Sequence, residues 1–401
     1  MPAQVVSMNK PITTPSVYER ALQTLLARIR YGALDVRTPS GHIIEARGVL
    51  PGPKASLVLH NWRVLLDLLL KGDTGFATSY VAGHWSSPDL AALLTICALN
   101  FNHAGRSIFS LAGRLRQRWH HKTRANSRVG SKRNIMAHYD LGNAFFAHWL
   151  DEAMFYSSAL YQTPQDTLAQ AQANKCHLIE NWLNVEPGDK VLEIGCGWGA
   201  LARRLAMSGA KVTGLTLSPA QQNYAEGIIK QAGLSHRVSI ALRDYRDETG
   251  LYDRIVSIEM LEAVGEEYWS QYFQTLRARL KPGGRVILQV ITIAAERFAS
   301  YRRGSDFIQS HVFPGGMLPT KAGLAMLGKA AGLSLRRVKY FGPSYARTLA
   351  DWHENFWRAV SELEAMGFDQ RFQRLWSYYL CYCQAGFSTG SIDVGLYEFL
   401  G

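Results

Sequence analysis

Cysteine is scarce in this chain of 401 residues, which holds only five. Cys97, Cys176, Cys196, Cys381 and Cys383 are too few and too odd in number for a disulfide framework, so a reducing cytoplasm is expected. Cys381 and Cys383 stand two apart with no second Cys or His pair at zinc-site spacing, and no structural metal is expected. Long apolar runs are missing too. The most apolar window, Ala55 to Leu70, is interrupted by His60, Asn61, Arg63 and Asp67, which argues against a spanning helix. The opening MPAQVVSMNKPITTP has neither an apolar core nor a small-residue cleavage signal, so no secretory leader is expected. Acidic residues run short: 32 Asp and Glu against 44 Lys and Arg leave a formal charge of +12. Nucleic acid, an anionic membrane and a charged substrate are the candidate partners.

What is present is a folded chain. A hydrophobic share of 47% with 19% charged residues excludes a disordered or fibrous class, and the length suits two domains. Val17 to Tyr31 reads as a helix, RGVLPGPKASLVLHN as a turn plus strand broken at Pro51-Gly52-Pro53, and Arg63 to Leu70 and Asp89 to Leu99 as helices flanking the turn-rich TSYVAGHWSSP. Residues 1–105 are therefore expected to form a small mixed α/β domain. Between Arg106 and Arg133 lie nine Lys or Arg and no acid, and Ile108, Leu111, Leu115 and Trp119 fall on one helical face. Residues 106–135 thus read as a basic amphipathic linker, the pattern of a membrane-surface helix or of an ordinary interdomain one.

From Lys190 onward strands and helices alternate: KVLEIG, a helix from Ala200, KVTGLTLS, a helix from Pro219, HRVSIALRD, YDRIVSIEM, a helix around Tyr268 to Leu280, and GRVILQVITI. Apolar strands separated by helices imply a doubly wound α/β domain with a parallel sheet, expected over 136–401. VLEIGCGWGALA sets Gly195, Gly197 and Gly199 between the first strand and its helix, where a ligand must approach backbone N–H groups closely. Gly195-x-Gly197-x-x-Ala200 also fits a dinucleotide fingerprint. Three features favour S-adenosylmethionine over NAD: Glu193 inside the strand end, the third glycine, and a second strand that ends in Thr216-Leu217-Ser218 with no acid for a ribose hydroxyl. After the third strand, Asp244 and Tyr245 could hold an adenine edge and face.

Together with HYDLGNAFF, IEMLEAVGEEYW, HVFPGGMLP, FGPSYARTLADW, YYLCYCQAGF and, nearer the start, SYVAGHW, these motifs make the chain resemble the cyclopropane-fatty-acyl-phospholipid synthase family. The resemblance implies a Rossmann-like class I methyltransferase domain in which the double bond of an unsaturated acyl chain attacks the sulfonium methyl. The carbocation so formed loses a proton to a base, which in the family is a bound bicarbonate held by a Cys, a Glu, a His, a Tyr and a backbone group. Carried over, Tyr156 and Ser157 match the pair near the methionine end of the cofactor, and Thr216 to Gln221 the segment at the ribose. Glu262 matches the Glu of the anion site, Tyr345 its Tyr, and the backbone group falls near Ile291; Cys383 matches the late, functionally required Cys. Three positions depart: Ser158 stands for the Cys, Gln289 for the His, and Ala263 for a His beside Glu262.

Gln289 cannot become cationic and Ser158 does not ionise near neutral pH, so a bound anion would gain less here. Glu262 then reads as a candidate base, provided burial raises its pKa. Loss of a different proton would leave a methyl or methylene branch. The reading that follows is an S-adenosylmethionine-dependent fatty acid methyltransferase that need not close a ring, with cyclopropane formation as the alternative. The expected partner is unsaturated phospholipid at an anionic surface, met by the basic segment on the cytoplasmic face of the membrane, with a homodimer as the candidate assembly. A nucleic-acid methyltransferase is disfavoured by the absence of a base-holding Asn-Pro-Pro-Tyr motif or appended reader, and an NAD oxidoreductase by the missing acid. A lipid-binding protein without activity is the non-enzymatic rival.

Overall fold

The computed structural model describes residues 6–9, 15–101 and 141–401. The basic segment and its amphipathic helix lie outside the described residues. Those described fall into two compact units, the first drawn from 6–101, 303–307 and 360–391, the second from 141–302, 308–359 and 392–401.

In the first unit, β1 (Val6–Asn9), β2 (Tyr31–Arg37), β3 (Ile43–Arg47), β4 (Leu50–Leu59) and β5 (Trp85–Ser86) form a sheet of order β1-β3-β2-β4-β5. Its helices are α1 (Val17–Leu26), α2 (Arg63–Val81) and α3 (Leu90–Phe101). The expected first helix ends early, at Leu26, because Tyr31 to Arg37 pairs with two neighbouring strands. Pro51-Gly52-Pro53 does not break β4; the register shift against β2 between Tyr31 and Ala33 absorbs it. Thr78 to Val81, read as turn, completes α2.

The helix Gln370–Ser388 also belongs to this unit, which corrects the expectation of one continuous domain over 136–401. The reason is aromatic packing and one hydrogen bond. Arg374 Nη1 donates to the Tyr80 carbonyl at 3.2 Å, and the Tyr378 ring lies 5.7 Å from Tyr80 and 6.4 Å edge-on from Trp85.

The second unit is the doubly wound one. Strands β6 (Lys190–Ile194), β7 (Lys211–Thr216), β8 (Val238–Leu242), β9 (Tyr252–Ile258), β10 (Leu280–Ile293), β11 (Ser334–Tyr340) and β12 (Ile392–Leu400) make a seven-stranded sheet of order β11-β12-β10-β9-β6-β7-β8. All run parallel except β12, which pairs antiparallel with both neighbours and was not expected from the sequence. The helices that bear on the site are α4 (Asn143–Ala147), α5 (Leu168–Leu183), α6 (Ala200–Met207), α7 (Pro219–Gln231), α8 (Trp269–Arg279), α9 (Lys321–Ala330) and α10 (Gly342–Arg358). A core of Leu192, Ile255, Phe273, Leu276, Leu288 and Phe399 fixes the strand ends. Thr167 caps α5 in a capping box with Gln170, while Thr163 closes a turn on Asp166.

The reversed strand is tied by charge as well as by its ladder. Glu398 on β12 is wholly buried and meets Arg285 of β10 at 2.9 Å and Arg337 of β11 at 2.6 Å. Both arginines are part-exposed, so the loss on Glu398→Gln should be about 1–3 kcal/mol of unfolding free energy, below the figure for a fully buried pair. Urea denaturation of the full chain measures it.

Candidate active site

The sheet order reverses beside β6, whose neighbours are β9 on one side and β7 on the other. At such a switch point the connections leave in opposite directions and open a crevice beyond the strand ends. A cleft lies there, lined by Tyr156, Ser157, Glu193, Gly195, Gly197, Thr216, Leu217, Gln221 and Tyr245 from the sequence expectation. Lys175, Trp198, Arg243, Glu259 and Met260 also line it and were not foreseen.

Each lining residue is held by its neighbours. Gly197 has φ +52 and nothing within 4 Å of where a Cβ would stand, so its backbone is open to a ligand. Gly199 serves packing instead: a Cβ there would sit 2.8 Å from the Ala225 Cβ of α7. Thr216 Oγ1 donates to Gln221 Oε1 at 2.8 Å, and the Ser218 hydroxyl caps α7 by accepting from the Gln221 N–H, which fixes the TLSPAQ segment. Trp198 Nε1 donates to Asn143 Oδ1 at 2.8 Å while Asn143 Nδ2 donates to the Ala220 carbonyl, so α4 clamps the glycine loop to the start of α7. Asp244 is held in a two-pronged pair with Arg246, at 2.8 and 2.6 Å, and does not line the cleft. Glu193 and Tyr245 carry oxygens, Oε2 and the phenol, with no partner among the described residues. Burial pushes the Glu193 carboxyl up to about 8. Open glycine backbone beside unspent polar atoms fits an adenosyl cofactor.

The stretch Phe155 to Tyr161 is pinned nearly atom by atom. Gln172 Nε2 of α5 donates to the Ser157 carbonyl at 3.0 Å and Lys175 Nζ to the Ser157 hydroxyl at 2.7 Å. Lys175 is buried, its ammonium 4.4 Å from the Phe155 ring centre; burial lowers its pKa while Cys176, Glu259 and Asp151 oppose the fall. Ala159 N–H donates to Thr348 Oγ1, and the Tyr161 hydroxyl to Asp351 at 2.5 Å, both on α10.

The anion centre differs from expectation. Glu259, one residue past β9, receives three hydrogen bonds: from the Ser158 backbone N–H at 2.9 Å and Gln289 Nε2 at 2.7 Å on Oε1, and from the Tyr345 hydroxyl at 2.6 Å on Oε2. Glu262, the expected carboxylate, gathers only the Ile291 N–H, at 2.5 Å, and its Oε2 has no partner among the described residues. The reason is local geometry. Glu259 sits at φ +50, a left-handed conformation that, together with its place at the strand end, brings its carboxylate to the donors one 3₁₀ turn before Glu262. Burial first, and then the charge of Glu259, push the Glu262 carboxyl up to about 8, so at neutral pH it holds a proton and cannot accept another. The Ser158 hydroxyl also turns away, donating to the Ala159 carbonyl at 2.9 Å; its backbone, not its oxygen, serves the site.

Beside Glu259 stands an aromatic wall. The Tyr156 ring lies 5.4 Å from Phe146, 5.5 Å from Trp149 and 5.5 Å from Trp352, and Trp352 lies 6.1 Å from Tyr345. Cys383 is half-buried on the helix Gln370–Ser388 of the first unit. Among the described residues no group of three or more His, Cys, Asp or Glu could hold a metal ion, and no helix is long and apolar enough to cross a membrane.

Two outcomes follow from this geometry. Lys175→Met removes the charged donor to Ser157 and should weaken S-adenosylhomocysteine binding by about tenfold, measured by calorimetry. Glu262 titrates near 8 when folded and near its ordinary 4.5 when unfolded. Its stabilising contribution is therefore complete below pH 4.5 and is lost as pH rises through 8, at up to about 1.4 kcal/mol per pH unit. Glu262→Gln lacks this loss, so its melting temperature relative to the parent chain should climb between pH 5 and pH 9.

Comparison with known proteins identifies the family. The chain is 42% identical over 335 residues to tuberculostearic acid methyltransferase UfaA1 of Mycobacterium tuberculosis, covering 80% of this chain and 78% of that protein. It is 34% identical over 333 residues to the cyclopropane-fatty-acyl-phospholipid synthase of Escherichia coli K12, with 82% and 83% covered. The crystal structure of mycolic acid cyclopropane synthase CmaA1 complexed with SAH and CTAB superposes with a TM-score of 0.63 at 30% identity, over 67% of this chain and 98% of that one. Residues 126–396 match the family described as mycolic acid cyclopropane synthetase. With the glycine loop and switch-point cleft in place, the chain belongs to the mycolic acid cyclopropane synthetase family of S-adenosylmethionine-dependent methyltransferases.

Proposed function

We propose that this protein methylates the double bond of an unsaturated acyl chain carried on a membrane phospholipid, and that the product keeps a methylene branch. The observation that carries this reading is the Glu259 carboxylate at the cleft together with the Tyr156 ring, which also lines it and is backed by the buried Trp149 and Trp352. An alkene that accepts a methyl becomes a carbocation on its other carbon, and ring faces and a nearby carboxylate are what stabilise a cation away from water.

S-Adenosylmethionine supplies an electrophilic methyl when bound, and Gly195, Gly197, Thr216, Gln221 and Tyr245 would hold it. The alkene π pair forms the new C–C bond as the S–C bond breaks, and the sulfur leaves with its electron pair. From that cation two products are open. Removal of a methyl proton with ring closure gives cyclopropane; a 1,2-hydride shift first moves the charge to the methyl-bearing carbon, and removal of the same methyl proton then gives the exocyclic methylene. A saturated branch would further require a hydride from a separate reductant. Both routes thus draw on one base, and the timing of proton removal against the hydride shift decides between them. The family likeness alone fits either. The altered anion centre and the 42% identity to a protein named as a methyltransferase rather than a synthase of rings favour the branch.

The nine Lys and Arg between 106 and 133 would meet anionic headgroups, each contributing on the order of 1 kcal/mol near the surface. Association is then peripheral and cytoplasmic, and it should weaken as salt rises. Incubation with methyl-labelled S-adenosylmethionine and dioleoyl-phosphatidylglycerol vesicles should place label in lipid, with a mass gain of one CH₂ and fragmentation marking an exocyclic double bond. A cyclopropane product would overturn the branch, and label in oligonucleotides but not in lipid would overturn the substrate class.

A further inference from the structure

The donors that the family resemblance assigns to a bicarbonate are already spent. Ser158 N–H, Gln289 Nε2 and Tyr345 OH all point at the Glu259 carboxylate, and the Ile291 N–H at Glu262. A carboxylate offers about four acceptor sites, so Glu259 with three filled keeps one, on Oε2. Its part-exposed surface borders the cleft. A bound bicarbonate would find no free donor among these four; burial pushes the Glu259 carboxyl up, and the three donors with the charge of Lys175 oppose that rise, so a second anion beside it would draw on the same few compensating groups. The residues present do not fit that group.

Backbone geometry points the same way. Among the described residues only Met154, Asn184 and Glu259 are non-glycine positions with positive φ. Asn184 caps the end of α5, a place where asparagine takes that conformation readily. For Glu259 the conformation is strained, and such strain persists where surrounding contacts over-determine it. Three donors from a loop, a strand and a helix supply that determination.

We propose that Glu259 is itself the catalytic base of this enzyme, taking the proton from the transferred methyl onto Oε2, and that the reaction needs no bicarbonate. This rests on the acyl-methylating reading above. The step balances simply: a C–H pair becomes the new C–C or C=C bond, the cation is discharged, and Glu259 carries the proton until cleft water removes it. The groups that face it are Ser158 from the loop, Gln289 from β10, Tyr345 from α10, Lys175 from α5 and Glu262.

The test uses the full chain with labelled S-adenosylmethionine and dioleoyl-phosphatidylglycerol vesicles, in buffer stripped of carbon dioxide and again with bicarbonate added. The parent chain should turn over equally in both, and bicarbonate should leave its melting temperature unchanged. Glu259→Gln keeps the shape and fills the nest with an amide, and should lose at least about 100-fold in kcat while binding S-adenosylhomocysteine normally. Glu259→Gly suits the left-handed backbone and empties the nest; it should be equally slow, but regain at least about tenfold with bicarbonate or formate and rise in melting temperature with either. Parent activity that falls without bicarbonate, a Glu259→Gln enzyme within threefold of the parent, or a Glu259→Gly enzyme that no small anion rescues would each overturn the proposal. Absence of lipid label from the parent chain instead overturns the underlying reading, and this one with it.

Discussion

A carboxylate fixed by three donors from three remote segments is the constraint on which the site depends. Ser158 lies 101 positions before Glu259, Gln289 30 after it and Tyr345 86 after it, and the hydrogen bonds close only when loop, sheet and α10 are all in place. Ser158 N–H is available to Glu259 because Ser157 is gripped from α5 and Ala159 from α10. A single anion thus reports on the correct docking of four elements. Each donor strengthens the others in so poorly solvated a place, and each would be costly left alone.

This arrangement changes the chemical question. Ser158 and Gln289 first read as weaker versions of the Cys and His that would steady a mobile anion. In the fold they are the backbone and amide donors of a resident one, and Gln289 suits that task better than a histidine would, since an amide N–H donates whatever the pH. The loss of a cationic partner is then no loss, because the charge to be held is already tethered. Whether ring or branch forms turns on how soon a fixed carboxylate takes the methyl proton, not on which proton is removed.

Much of the cofactor half was legible beforehand. The glycine loop, TLSPAQ and the five parallel strands lie in continuous stretches whose period and turn chemistry are local, and the strands from Lys190 to Ile293 fall where apolar runs put them. Less legible were the segments whose form is decided by a partner. Pro51-Gly52-Pro53 stays in a strand because β2 shifts register to receive it, and Gln370 to Ser388 leaves the second unit because its aromatic face is matched by Tyr80 and Trp85. Glu259 carries one usable signal, an acid at the carboxyl end of the strand beside the switch point, whereas Glu262, three residues later, is the acid that matches the family motif.

The sequence by itself determined the class of fold, the cofactor loop and the family, because glycine spacing, strand period and motif order are properties of neighbouring residues. Only the tertiary structure decided which of two glutamates is the held anion. That choice hangs on a left-handed backbone at Glu259 and on donors brought from 30 to 101 positions away, and no local pattern encodes where three such donors meet.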